Sequence, residues 1–118
     1  MKEDLKLLAE WYEYEIMEDK ATAALNIEGI LVGYDEFYTM DFNPLKDANQ
    51  LNKLEQKMID EADICRVEFM FGDNRENVLA TYYIKYKSNY ICGEGKSIPE
   101  AKLNAVINYV KGVKKWNQ

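Results

Sequence analysis

The sequence predicts one α+β domain over residues 1–118, an antiparallel β-sheet built from a hairpin and a meander and packed by three α-helices. Three observations predict it. Between Ile64 and Lys87 side chains alternate with a period of two, broken once by the polar run GDNREN, residues 72–77. Apolar residues recur at helical spacing in three other stretches. The resulting order, helix, hairpin, helix, meander, helix, suits an antiparallel sheet with helices laid on it.

The first helix is expected over residues 3–24. Leu5, Leu8, Ala9, Tyr12 and Ile16 mark one face, and Glu3 and Asp4 sit where the helix dipole favours anions. Trp11, Tyr14 and Met17 widen the apolar stripe beyond one core contact, so either a second layer or another subunit covers them, and the surplus favours a partner surface. A hairpin follows: Ile30 to Gly33, a turn near Tyr34, Asp35 and Glu36, then Phe37 to Met40. Asn43–Pro44 ends that strand, because proline disfavours a helical residue before it.

The second helical segment is expected over residues 43–61, with Asp47 as N-cap and Gln50 completing a capping box. Ala48, Leu51, Leu54, Met58 and Ile59 form its apolar stripe. In the meander, Cys65, Val67, Phe69 and Phe71 are expected to share a buried face. Val78, Ala80, Tyr82, Ile84 and Tyr86 do the same in the next strand. Ser88–Asn89 turns into a short strand from Tyr90 to Gly93. Ser97 then caps the last helix with Glu100 three residues on, and Leu103, Val106, Ile107, Val110 and Val113 form its stripe.

Composition limits the function. A chain of 118 residues has room for one core and buries roughly two thirds of its unfolded surface. With 47% apolar and 31% charged residues it is globular. A net charge of −6 argues against broad nucleic-acid binding, which needs a basic footprint. Residues 1–20 carry seven acids against three lysines, whereas residues 100–118 carry four lysines against Glu100. The two ends could therefore attract, within one subunit or between two, but two solvated helix faces are the favoured reading. No apolar run approaches the ~20 residues that span a bilayer, and the charged start is unlike a signal peptide. A cytoplasmic protein with reduced Cys65 and Cys92 is expected.

Catalytic constellations are sparse. With no histidine, neither a serine–histidine nor a cysteine–histidine pair can form, and a zinc site of the usual kind is not expected. No cofactor is expected. Cys65 reads as a small core residue. Two segments could instead bind. In Cys92–Gly93–Glu94–Gly95–Lys96–Ser97, glycines before a helix could present N–H groups to an anion, with Lys96 adding charge; an ordinary strand-to-helix turn with a serine cap is the favoured reading of these residues. In 69–75, Phe71 could stack on a base and Arg75, one of two arginines, could hold a phosphate; a core phenylalanine and a solvated arginine are the plain alternative.

The chain resembles the phage ABA sandwich domain family over about residues 8–112. The resemblance rests on Trp11, the GYDEFYTM segment, Asp41–Phe42–Asn43–Pro44–Leu45–Lys46–Asp47, Leu54–Glu55–Gln56–Lys57–Met58 and the opening Ser97–Ile98–Pro99–Glu100–Ala101. The family's usual aromatic in the middle helix is replaced here by Leu54 or a neighbour. Small phage proteins of this look include Thoeris anti-defence sponges, which bind the cyclic ADP-ribose isomer made by bacterial TIR enzymes. The resemblance thus implies a non-enzymatic protein in the cytoplasm of an infected bacterium that sequesters a small cyclic nucleotide. Phe71, Asn74, Arg75, Tyr83, Lys96 and Ser97 are the expected ligand-binding residues. A homodimer or higher homo-oligomer is expected, and no membrane. The rival reading is an inhibitor of a host protein, anti-CRISPR-like or transcription-modulating, acting through the acidic first helix.

Overall fold

A computed structural model of the protein describes residues 2–17, 28–35, 38–85 and 88–116. The described elements are α1 (Lys2–Trp11), β1 (Glu15–Ile16), β2 (Ile30–Asp35), β3 (Tyr38–Phe42), α2 (Ala48–Ala62), β4 (Ile64–Phe71), a 3-10 turn (Asp73–Arg75), β5 (Val78–Ile84), β6 (Tyr90–Gly95) and α3 (Ile98–Trp116). The α+β class, the antiparallel pairing and the three helices are as the sequence predicts. The strands divide between two three-stranded sheets, β1-β2-β3 and β4-β5-β6.

The first helix is shorter than its periodicity implies. It closes at Trp11, where the Tyr12 and Tyr14 N–H groups donate to Leu8 O and Ala9 O. Glu13 then turns left-handed at φ 67°, which stops helical propagation. Glu15 and Ile16 pair with Gly33 and Val32 as a strand. The helical spacing of Tyr12 and Ile16 survives because both still pack against the core, one from a turn and one from β1. Residues 18–24 of the expected helix lie outside the described residues, as do Glu36, Phe37 and Tyr86. The hairpin is longer than expected, with β2 reaching Asp35 and β3 reaching the buried Phe42.

α2 begins where Asp47 predicts. The Asp47 carboxylate accepts from the N–H groups of Asn49 at 3.0 Å and Gln50 at 3.2 Å. Gln50 does not close the capping box. Its buried amide accepts from Asn43 N at 2.7 Å and donates to Asp41 O at 2.9 Å, tying the end of β3 to the helix. Left-handed Asp63 ends α2, its N–H donating to Ile59 O.

One apolar cluster unites both sheets and all three helices, with Leu8, Phe42, Leu54, Met58, Tyr82, Leu103 and Val106 fully buried. α3 lies over β6 and β5. Central β5 therefore buries Val78, Ala80 and Tyr82, as its alternation predicts. β4 does not follow its own alternation. Cys65 is exposed, Val67 and Phe71 are 38% and 53% exposed, and Phe69 is half-buried. The reading of Cys65 as a core residue is thus corrected: β4 is an edge strand, and the helical layer is centred on β5 and β6.

Candidate functional site

The register of the second sheet decides which candidate residues meet. Phe71 pairs with Val78, and Val78 pairs with Gly95. Directly paired residues share a face, so these three form one row across the sheet. The 72–77 turn leaves β4 from this row and is closed by Gly72 N–H donating to Asn77 O at 2.8 Å. Asn74 holds a left-handed conformation at φ 61°, which asparagine tolerates better than most residues. Arg75 lies beside it in the same turn. Lys96 and Ser97 leave the row from the other side. At about 4.8 Å per strand, Phe71 and Gly95 stand roughly 10 Å apart.

Five of the six candidates thus gather at one end of the second sheet. Tyr83 does not join them. It pairs with Arg66 and Tyr90, five residues along β5 from Val78 and so about 17 Å away. There its hydroxyl donates to Glu68 at 2.9 Å, and the Arg66 guanidinium lies 4.2 Å from its ring centroid. The Glu68 hydrogen bond holds the half-buried Tyr83 phenol above its ordinary range.

The strand-to-helix turn has a packing role that its glycines did not disclose. A Cβ on Gly93 would sit 2.0 Å from Ala105 N and 2.3 Å from Ala101 O. The α3 backbone therefore rests directly on β6, and Gly93 and Gly95 are buried beneath it. Ser97 Oγ accepts from Glu100 N at 3.3 Å, and the Glu100 carboxylate accepts from Lys96 N at 3.4 Å. The glycines thus serve close helix packing. The Lys96 N–H of the turn and the Glu100 N–H of the first turn of α3 already have acceptors, the former a carboxylate.

Two polar clusters escaped the sequence reading. Tyr82 is buried and its hydroxyl donates to Glu55 at 2.5 Å, while Lys102 reaches Glu55 at 3.4 Å and lies 5.8 Å from the Phe69 ring centroid. Burial, then the Glu55 hydrogen bond and charge, push the Tyr82 phenol well up. A tyrosine at a buried strand position requires a partner for its hydroxyl, and that was the available signal. In the second cluster Trp11 Nε1 and Tyr109 Oη donate to Glu61 at 3.2 and 3.1 Å, and Lys57 pairs with Glu61 at 3.3 Å. Burial, then Glu61, push the Tyr109 phenol up to about 12.

These contacts account for the surplus aromatics of the first helix. Trp11 packs edge-on against Tyr109, and Tyr14 packs edge-on against Phe42. The opposite charge of the two ends also meets within one subunit, where Lys111 pairs with Asp4 at 3.1 Å. An open hollow of about 520 Å³ lies beside the second cluster, lined by Tyr12, Glu13, Lys53, Lys57, Asp60 and Glu61, and contains none of the six candidates. Among the described residues no three acidic or thiol side chains converge as metal ligands, and no helix is long and apolar enough to cross a membrane. No known family, curated protein or solved structure matches the chain.

Proposed function

We propose that the protein is a non-catalytic binding protein that holds an anionic, aromatic ligand at the end of the second sheet. The observation that supports this is the row Phe71–Val78–Gly95, which gathers an exposed aromatic ring, the Asn74–Arg75 turn and Lys96 at one place. A base would stack on Phe71, and Arg75 and Lys96 would meet the phosphates. The site is an open platform, so affinity would come from stacking and charge. The ligand implied by the family resemblance is a cyclic ADP-ribose isomer. Its sequestration in the cytoplasm of an infected bacterium would keep a TIR-based defence switched off. Tyr83 stands apart from this site in the fold.

Calorimetric titration with the cyclic isomer tests the reading. Saturable heat is expected, with the ligand recovered unchanged after denaturation of the complex. Phe71→Ala and Arg75→Ala should each weaken binding about tenfold or more, the scale of one lost stacking contact or charge-assisted contact. Tyr83→Phe should leave it intact. New products on chromatography would instead indicate turnover.

A second reading is favoured by one feature of the first segment. Glu10, Glu13 and Glu15 all remain exposed, while the neighbouring aromatics turn inward. Under that reading these acids contact a host protein. Charge reversal at all three would abolish biological activity while leaving nucleotide binding untouched.

A further inference from the structure

The second sheet ends on β4, eight residues long and open along one edge among the described residues. Such an edge carries a row of backbone donors and acceptors ready to pair with another strand. The usual protections are thin here. β4 has no proline, and Val67, Met70 and Phe71 are exposed apolar residues on it, with Met70 at 63%. A β-bulge between Ile64 and Arg66 interrupts the edge only at its start.

Hydrogen-bond parity shows which residues face outward. Gly72 N–H donates to Asn77 O across the β4–β5 ladder. By alternation, Met70, Glu68 and Arg66 also turn their backbone groups toward β5. Val67, Phe69 and Phe71 turn theirs to the free edge. On one side-chain face of this edge Arg66 and Glu68 stand two residues apart, their charged groups 3.5 Å from each other.

We propose that β4 pairs antiparallel with β4 of a second copy about a twofold axis at Val67, joining two three-stranded sheets into one of six strands. The charges select this register. Centred on Val67, Arg66 lies opposite Glu68 of the second copy, and Glu68 opposite Arg66 of the second copy. These are non-hydrogen-bonded pairs, where side chains come closest. Centred on Arg66 or on Glu68, like charges would lie face to face, which is destabilising. Centred on Phe69, Glu68 would face Met70 and Arg66 would face Gly72, leaving both charges unmatched. Val67 has its N–H and C=O turned outward, so it can meet its own copy in a reciprocally bonded pair. The bulge bends the chain at Cys65, so the Val67 and Arg66–Glu68 pairs carry the register. This pairing is independent of the ligand proposed at the 71–97 end.

Sedimentation equilibrium of the full chain across micromolar concentrations tests it. A reversible monomer–dimer equilibrium is expected, weakening as salt rises. Val67→Pro removes a donor that faces the free edge and spares the β4–β5 ladder, so the chain should stay folded by circular dichroism and become monomeric. Glu68→Lys should raise the dissociation constant about tenfold or more by opposing like charges, and Arg66→Glu combined with Glu68→Lys should restore it. In a Cys65→Ser background, Val67→Cys should form a disulfide-linked dimer on oxidation and Phe69→Cys should not. A wild-type chain that stays monomeric overturns the proposal. So does a dimer unaffected by Val67→Pro, or a cross-link formed through Phe69→Cys alone. Pairing of β4 only with an extended peptide from another protein would also overturn it.

Discussion

At the scale of single residues, the buried phenols are the most informative groups. Tyr82 places its ring in the core and its hydroxyl on Glu55, which also holds Lys102. Removing that hydroxyl leaves a half-buried carboxylate with one partner fewer. Tyr82→Phe should cost ~1–3 kcal/mol in urea unfolding. Tyr109 makes a pH-dependent contribution. Its phenol is pushed from 10.0 up to about 12 in the folded chain, burial being the larger cause and Glu61 the next. Above pH 10 the unfolded chain loses this proton while the folded chain keeps it, so folding is opposed. The stability from this group is complete below pH 10 and declines as pH rises through about 12. Tyr109→Phe should reduce the fall in melting temperature over that alkaline window, compared with the wild-type chain at matched pH.

At the scale of elements, the contact of α3 with β6 is the tightest constraint. Gly93→Ala would drive a methyl group into the α3 backbone at Ala101 and Ala105. Neither backbone can yield without moving the helix, so a loss of ~3 kcal/mol or more is expected, at or beyond the upper end of overpacking costs. Gly112 offers the contrast. Nothing lies within 4 Å of a Cβ built there, and its φ is not positive. Gly112→Ala should stabilise by ~0.5–1 kcal/mol through helix propensity. Thermal melts of the two variants should move in opposite directions. Asn104 and Asn108 extend the same contact by donating to Glu94 O and Cys92 O, which covers the outer edge of β6 and leaves β4 as the open edge of this sheet among the described residues.

The same elements show what could be read from sequence and what could not. The caps Asp47 and Ser97 were legible because an N-cap is a local matter of one side chain and nearby N–H groups. Their partners were not. Gln50 reached back to the end of β3, and Glu100 to Lys96 rather than to the cap residue. The alternation in β5 translated into burial at Val78, Ala80 and Tyr82, although Thr81 of the other face is buried too and Ile84 only half-buried, whereas equally regular alternation in β4 did not. Periodicity states which residues share a face; it does not state whether a helix reaches that face. The end of α1 was hidden because Glu13 takes its left-handed turn with no glycine to announce it.

At the scale of the whole molecule, the candidate site depends on strand register. The turn chemistry of Asn74 and Arg75 and the strand-end aromatic Phe71 could be picked out singly. Their proximity to Lys96 and Ser97 follows from Phe71, Val78 and Gly95 falling in one row, which only the paired strands reveal. That register also places Tyr83 at the far end, beside Arg66, Glu68 and Tyr90. The proposed ligand and the proposed second copy then take two places on one sheet, the 71–97 end and the β4 edge, which is open among the described residues. The two places meet at Phe71, the last residue of β4, so the separation is tested away from it: substitutions at Val67 or Glu68 should leave ligand binding unchanged, and Arg75→Ala should leave the pairing unchanged. The most direct measurement is calorimetric titration of the cyclic ADP-ribose isomer into the wild-type chain, Arg75→Ala and Tyr83→Phe in parallel. Saturable binding that weakens about tenfold or more in Arg75→Ala, is kept in Tyr83→Phe and is accompanied by full recovery of intact ligand is the predicted result. An absence of heat in the wild-type chain, or binding abolished by Tyr83→Phe and indifferent to Arg75→Ala, would contradict it.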